Sequence, residues 1–403
     1  MKTARIFIST GEVSGDLQGA LLVASLRRQA AILGWELDIS GLGGDRMAAA
    51  GMTLLANTSG IGSVGLVESL PFVLPTVRLQ QRVKQSLRRS PPDLVVLIDY
   101  MGPNLSLGRF VRRQFPHVPT VYYIAPQEWV WSFGSRNTNQ LVSMTDRLMA
   151  VFPEEARYYQ THGAAVTWVG HPLVDQIPLA PSRAEARQQL GIPDEQWAIA
   201  LLPASRRQEI AHLMPILFRA AQQLQARFPQ IHFWIPVSLE SYRPALSQAV
   251  HQYGLRATLV AGQAQRVIAA ADLAIAKSGT VNLETALLDV PQIALYRVHP
   301  LTAWMARHIL KFSIPFMSPP NLVQMEAIVP EFLQEAATPA NITEAASQLL
   351  QDDVARQRMR AGYRRMRQAL GKPGVCDRVA QEIFTLLPAA DPKAVNPPHP
   401  RLS

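Results

Sequence analysis

The 403-residue chain has a single cysteine, Cys376, so no disulfide can form within it, which suits a reducing compartment. Long apolar runs are also missing. Near the start only Ile6-Phe7-Ile8 interrupts a polar, basic stretch, and no segment approaches the ~20 apolar residues that span a bilayer. A cytoplasmic protein not integral to the membrane is expected. Negative charge is scarce: 30 Asp and Glu face 39 Lys and Arg, a net charge of +9. Mean hydropathy is near zero at +0.04. A basic, fairly apolar chain attracts polyanions, which leaves nucleic acid, anionic lipid and phosphorylated substrates as partner classes. No nucleic-acid motif accompanies the charge, so that partner is not expected. The glycines at 11, 15 and 19 after the first strand do not follow the dinucleotide fingerprint Gly-x-Gly-x-x-Gly, and the Gly41-Leu42-Gly43-Gly44 turn lacks its third glycine. There is no P-loop and no Asp-x-Asp pair, and the nine histidines show no paired ligand spacing. No nicotinamide, ATP or metal cofactor is expected.

What is present is alternation. Strand-like runs at Arg5–Ser9, Glu36–Gly41, Asp93–Ile98, Thr120–Ile124, Arg147–Val151 and Val166–Val169 are interleaved with helical stretches, clearest at Asp16–Gln29 and Leu74–Arg89. A Pro-rich segment, Asp175–Arg183, reads as a linker. A second series follows, with strands at Ala198–Leu202, His232–Pro236, Thr258–Val260, Leu273–Ala276 and Gln292–Leu295. Helices are expected at Glu209–Phe228, Tyr242–Tyr253 and Thr280–Leu288, and three more after Pro339. The pattern predicts an α/β chain of two doubly wound, Rossmann-like domains facing a cleft. Residues 1–175 form the first, 176–387 the second with the trailing helices, and 388–403 a Pro-rich disordered tail.

The first strand runs into Gly11-Glu12-Val13-Ser14-Gly15-Asp16, which opens a helix. Ligands of doubly wound sheets bind at such strand ends. Carboxylates at Glu12 and Asp16 suit hydroxyl groups better than phosphates, and the alternative is a turn and cap without a ligand.

This turn is similar to the Gly-Glu-x-Ser-Gly-Asp signature of the lipid-A-disaccharide synthase family, and further matches follow in order. Gly43-Gly44-Asp45-Arg46-Met47, Gly65-Leu66-Val67-Glu68 and Pro126-Gln127-Glu128-Trp129-Val130-Trp131 resemble family segments, as does Gly170-His171-Pro172-Leu173-Val174-Asp175. In the second half the matches are Leu202-Pro203-Ala204-Ser205-Arg206, Ser278-Gly279-Thr280 with Glu284, Tyr296-Arg297, Pro320-Asn321-Leu322 and Pro330–Gln334. One segment departs. The family reads Ile-Asp-Ala-Pro-Asp-Phe-Asn where this chain has Ile98-Asp99-Tyr100-Met101-Gly102-Pro103-Asn104.

The resemblance implies a two-domain glycosyltransferase of the B type that works without a metal. It would transfer 2,3-diacylglucosamine from its UDP derivative to 2,3-diacylglucosamine 1-phosphate, forming a β-1,6 linkage with inversion. Such transfer needs a base for the attacking hydroxyl and charge stabilisation for the departing diphosphate. Asp99, at a strand end, matches the family's essential aspartate and is the candidate base, unless it caps the following turn. His171 is a second candidate, or a structural histidine. Arg206 is placed for the UDP phosphates, or is a surface arginine. Ser278, Gly279 and Thr280 open a helix whose N–H groups suit a diphosphate, or form an ordinary cap. Glu284 is expected at the ribose, with Asn321 and Gln334 nearby on the nucleotide side. Gly11, Glu12, Ser14, Gly15, Asp16, Gln127, Trp129 and Trp131 are assigned to the acceptor side.

The apolar stretch Gly65–Leu74 precedes a helix carrying Arg78, Arg82, Lys84, Arg88 and Arg89. Apolar beside basic residues favours an anionic bilayer surface, so Leu66, Phe72 and Leu74 are expected to touch membrane or acyl chains, or else to belong to a core helix. Trp304-Met305 with Arg307, His308 and Lys311 is a second such stretch. Peripheral attachment to the inner membrane follows. Two other classes compete: a sugar-nucleotide epimerase of the same fold, and a non-catalytic nucleotide-sugar or lipid-binding protein.

Overall fold

The computed structural model describes residues 2–58, 66–130, 135–203, 207–297 and 316–387, with side chains at all of these except 12, 66–72 and 207–212. The chain divides into two compact units, residues 1–175 with 370–403, and residues 176–369.

The first unit holds seven parallel strands: β1 (Lys2–Ser9), β2 (Trp35–Gly43), β3 (Thr53–Asn57), β4 (Leu94–Ile98), β5 (Thr120–Tyr123), β6 (Arg147–Ala150) and β7 (Val166–Trp168). Their order in the sheet is β3-β2-β1-β4-β5-β6-β7, with every pairing parallel. β4 is buried along its whole length, as a strand covered by helices on both faces must be. Strand order reverses between β1 and β4, so the loops leaving these two strands diverge and open a crevice at their carboxyl ends.

The second unit repeats the plan with β8 (Trp197–Leu202), β9 (Ile231–Val237), β10 (Ala257–Ala261), β11 (Leu273–Lys277), β12 (Gln292–Tyr296) and β13 (Glu331–Leu333). Here the order is β10-β9-β8-β11-β12-β13, all parallel, and the reversal lies between β8 and β11. The expected doubly wound architecture is observed in both units. β3 and β13 were not anticipated. They lie at sheet edges and span five and three residues, too few for a periodic signal.

Four helices of the first unit bear on the site: α1 (Glu12–Leu33), α2 (Asp45–Ala49), α3 (Leu66–Arg89) and α4 (Met101–Gln114). α3 begins eight residues before the expected Leu74, so residues 66–74 are helical despite Pro71 and Pro75. The side chains of Leu66 and Phe72 lie outside the described residues, as do Trp304 to Lys311 and the tail from residue 388.

The first unit's main span ends at Asp175, but the final helix, Val375–Leu386, expected with the second domain, does not stay there. It returns to the first unit. Asp175 accepts N–H bonds from Gly374, Val375 and Cys376 at 2.6, 3.1 and 3.0 Å, capping that helix. Arg378 donates to the Val169 carbonyl at 2.8 and 3.1 Å, and Phe384 packs on Trp35. Val375, Cys376, Val379, Ala380 and Ile383 of the helix are buried.

Candidate active site

In the first unit the crevice between β1 and β4 carries the acid. Asp99 directly follows β4, is half-buried, and has a left-handed backbone (φ 46°), as does Tyr100 (φ 50°). Left-handed non-glycine residues are strained and persist only where neighbours hold them. Here the holding groups are visible. The Asn104 amide donates to the carbonyls of Asp99 (2.8 Å) and Ile98 (3.1 Å), and accepts from Ser9 Oγ at 2.7 Å. Tyr122 donates its hydroxyl to the Asp99 carbonyl at 2.7 Å, and the Asp99 N–H donates to the Ile124 carbonyl at 3.1 Å. Ile124, after the neighbouring strand β5, is also left-handed (φ 57°). The Asp99 backbone is thus clamped from β1, β5 and α4.

The next two loops are tied together by a residue the sequence reading missed. Glu155 is fully buried and accepts N–H bonds from Ala125 (3.0 Å), Val151 (2.8 Å) and Phe152 (3.1 Å). Burial pushes its carboxyl up to about 7, against the pull of the three N–H bonds, and the Asp99 carboxylate adds to the rise. Tyr159 donates to the Pro126 carbonyl at 3.0 Å and fixes the other side of the same loop. The loop presents half-buried Gln127 and Trp129. Trp129 Nε1 and the neighbouring Glu128 Oε2 are buried without a hydrogen-bond partner among the described residues. Trp131 is outside the described residues. The only advance sign of Glu155 was its place in the first turn of a helix opening with Pro153.

His171 is brought near this loop, since its ring stacks on Phe152, which in turn meets Trp129. It is buried, its Nδ1 accepts the Leu173 N–H at 3.2 Å, and burial pushes its pKa down to about 3. A neutral imidazole receiving a backbone N–H fixes the chain at the domain boundary, the structural alternative raised for it.

The glycine-rich turn after β1 divides by role. A Cβ on Gly11 would lie 2.5 Å from the Tyr100 ring, and one on Gly15 would lie 2.0 Å from Thr10 Oγ1, so both positions require close approach. Asp16 is committed to protein. Its carboxylate accepts the N–H groups of Gly44, Arg46 and Met47 at 2.8, 3.2 and 3.1 Å, capping α2. The hydroxyl recognition expected of Asp16 is therefore replaced by capping. Ser14 is half-buried nearby, and the Glu12 side chain is outside the described residues.

In the second unit, Ser278, Gly279 and Thr280 follow β11 at the β8/β11 reversal and open the helix Thr280–Leu287. Ser278 donates to the Met317 carbonyl at 2.9 Å, and the Gly279 N–H donates to Asn282 Oδ1 at 2.7 Å. Gly279 faces open space: a Cβ there would meet only Lys277 Nζ, at 3.8 Å. Lys277, also 5.8 Å from the Tyr296 ring centroid, brings a cation to this turn. The sequence reading passed over it, although a lysine ending a buried strand just before a small-residue turn is a usable signal. Glu284 is half-buried one turn into the helix. Arg206, after β8, is outside the described residues.

Asn321 turns out to be a scaffold residue. Its amide accepts N–H bonds from Ile328 (2.8 Å) and Val329 (2.9 Å) and donates to Val329 O (3.0 Å) and Glu331 (3.2 Å), leaving it fully engaged. Gln334 directly follows β13, has a left-handed backbone (φ 50°) and is half-buried. A cavity of about 700 Å³ in this unit is lined by Arg183 and Arg360 and by Asp272 and Pro291, the last two just before the amino ends of β11 and β12. It lies at the opposite end of the sheet from Ser278, and Arg183 is bonded to Asp272 at 2.6 Å. Among the described residues, no three His, Cys, Asp or Glu side chains gather in a way that could hold a metal ion.

Two strand-end sites on doubly wound sheets, one with a clamped acid and one with a small-residue turn beside a cation, fit transfer from a nucleotide sugar. Structural similarity bears on the fold. The chain is similar to UDP-GlcNAc 2-epimerase from Neisseria meningitidis bound to UDP-GlcNAc, with a TM-score of 0.65, 12% identity, and coverage of 96% of this chain and 100% of that one. It is also similar to MurG of Acinetobacter baumannii, with a TM-score of 0.54, 15% identity, and coverage of 95% and 99%. At such identities the likeness shows the fold alone. Sequence similarity goes further. The model of the lipid-A-disaccharide synthetase family matches residues 6–384. The lipid-A-disaccharide synthase of Gloeothece citriformis is 55% identical over 380 residues, covering 94% of this chain and 99% of its own. That of Geobacter sulfurreducens is 36% identical over 383 residues, covering 95% and 97%. The chain belongs to the lipid-A-disaccharide synthase family and is a glycosyltransferase.

Proposed function

We propose that this transferase moves 2,3-diacylglucosamine from UDP to the 6-hydroxyl of 2,3-diacylglucosamine 1-phosphate, with Asp99 as the base. The observation that carries the assignment is the clamped, left-handed Asp99 at the β1/β4 reversal, where a ligand would enter the sheet. An acid whose main chain is held in place needs little reorganisation when its carboxylate takes the hydroxyl proton. His171, neutral and engaged, fits a supporting role. On the donor side, the N–H groups opening the helix Thr280–Leu287, together with Lys277 and Arg206, would meet the diphosphate, and Glu284 the ribose. Pure protein incubated with UDP-diacylglucosamine, with and without the acylated sugar phosphate, tests this. UDP release only with both supports the transfer. Epimerised donor without acceptor would replace it with the epimerase reading.

Acylated substrates require access to a membrane surface, and α3 supports peripheral attachment. Val73, Leu74 and Val77 are 49%, 67% and 48% exposed there, and no helix among the described residues is long and apolar enough to cross a membrane. Further along α3, Lys84 bonds Ser106 Oγ at 2.9 Å, and partial burial, then Arg109 and Arg88, lower its pKa. Three cations gathered below an exposed apolar patch suit the anionic headgroup region of the cytoplasmic leaflet.

A further inference from the structure

Ile124 is left-handed (φ 57°), a conformation that a β-branched side chain strongly resists. The peptide group that follows it is held at both ends. Its carbonyl, on Ile124, accepts the Asp99 N–H at 3.1 Å, and its N–H, on Ala125, donates to Glu155 Oε1 at 3.0 Å. One peptide group therefore joins a fully buried carboxylate to the backbone of the candidate base. The other oxygen, Glu155 Oε2, accepts the N–H groups of Val151 and Phe152 at 2.8 and 3.1 Å, which anchors the carboxylate to the loop after β6. Hydrogen bonds in series polarise one another, and an anion at one end strengthens the next bond along. Tyr123 of β5 and Tyr159 of Glu155's own helix, Pro153–Thr161, also face the carboxylate, and burial raises both phenols so that they stay neutral.

We infer that Glu155 is a positioning residue for Asp99, acting through the Ile124–Ala125 peptide and holding the acid best when its own carboxylate is ionised. Ionised, it draws on the Ala125 N–H and makes the Ile124 carbonyl a stronger acceptor for the Asp99 N–H. Protonated, it places a hydrogen among three N–H donors and holds the peptide less firmly. Repulsion between the Glu155 and Asp99 carboxylates is mutual, so an ionised Glu155 also favours proton capture by Asp99. Burial pushes Glu155 up to about 7, which puts the change near neutral pH. The inference rests on the transferase reading and on Asp99 as the base.

The test follows kcat and both KM values from about pH 5.5 to 8.5 for wild type, Glu155→Gln, Tyr159→Phe and Asp99→Asn. Glu155→Gln keeps the shape and an acceptor for Ala125 but carries no charge. Its kcat should be about 10-fold below wild type near pH 8 and match it below about pH 6, where wild type is protonated too, with both KM values within about twofold. Tyr159→Phe removes the bond to Pro126 from the same loop and leaves Glu155 in place, so it should keep the wild-type pH profile. A Glu155→Gln profile parallel to wild type at every pH, lowered or not, would overturn the inference and make Glu155 a loop brace. The same change of profile in Tyr159→Phe would overturn it as well. Hydrogen exchange across residues 98–101 reads the clamp without turnover: near pH 8 it should be faster in Glu155→Gln, and equal rates would overturn the inference even in a protein that transfers nothing. Near-normal turnover of Asp99→Asn would sink the base reading, and the inference with it. Lost turnover there, with parallel profiles for Glu155→Gln, would sink the inference alone.

Discussion

The two strand-end turns at the sheet reversals use opposite means. At β1/β4 the backbone is strained, and side chains from three elements fix the main chain of Asp99. At β8/β11 the residues are small, Gly279 is extended rather than left-handed, and space is open beside a lysine. The contrast fits the proposed chemistry. A base must hold one atom in place while a proton moves, whereas a diphosphate spreads its charge over several oxygens and is met by distributed donors. Asp99→Asn attacks the first turn only. It keeps shape and hydrogen bonding but cannot accept the proton, so turnover should fall ~100- to 10,000-fold with UDP affinity nearly unchanged. Near-normal turnover would remove Asp99 as the base, and a lowered Tm with normal turnover per folded molecule would make it a turn cap.

Glu155 and His171 sharpen the view of the first unit, because burial acts on them with opposite sign. Glu155 is raised to about 7 from 4.5, so between these pH values the folded state holds a proton that the unfolded chain releases. Stability from this group therefore declines as pH rises through the window, by about 3 kcal/mol in all. His171, lowered to about 3 from 6.5, refuses a proton that the unfolded chain accepts, so its contribution is lost as pH falls below 6.5. Between about pH 4.5 and 6.5 the two slopes oppose each other. Glu155→Gln removes one of them. Urea unfolding from pH 4.5 to 7.5 should show the variant gaining on wild type as pH rises, by about 3 kcal/mol across the window. Parallel curves would mean that Glu155 does not titrate there.

The second turn is broken at Lys277. Losing a charge-assisted contact to phosphate costs roughly 1.5–3 kcal/mol, so Lys277→Ala should weaken UDP binding about 10- to 100-fold and leave acceptor affinity alone. Titration calorimetry with UDP checks it. Unchanged UDP affinity would show that the lysine serves Tyr296 rather than the nucleotide.

The doubly wound plan was legible because buried parallel strands such as Leu94–Ile98 are continuous apolar runs. Edge strands Thr53–Asn57 and Glu331–Leu333 were not, being short and half-exposed. The return of helix Val375–Leu386 was invisible, since an apolar helix face does not announce which core it joins. Asp99 stood out by its place after a strand. Asp16 and Asn321 looked like ligand groups because a carboxylate or amide committed to backbone N–H groups reads the same in sequence as one aimed at a substrate. Glu155 escaped for the converse reason, since a helix's first turn commonly carries an acid.

The smallest expected effect tests the proposed membrane contact of α3 in the first unit. Leu74 is 67% exposed on α3, with Val73 and Val77 beside it, so serine there removes little packing from the fold. Moving a leucine side chain out of water is worth ~1.5–3 kcal/mol when complete. An interfacial helix buries only part of it, which leaves about 1 kcal/mol, or roughly a fivefold weaker partition into vesicles. Leu74→Ser should therefore lose about that factor in sedimentation with phosphatidylglycerol vesicles, while Tm and UDP affinity stay at wild-type values. Detergent-dispersed acceptor should be used as well as before, because the active-site turn is untouched. Adding salt should weaken wild type and variant in parallel, since Lys84, Arg88 and Arg109 remain in both. Unaltered vesicle binding would take α3 out of the membrane contact, and a fallen Tm would return Leu74 to the core.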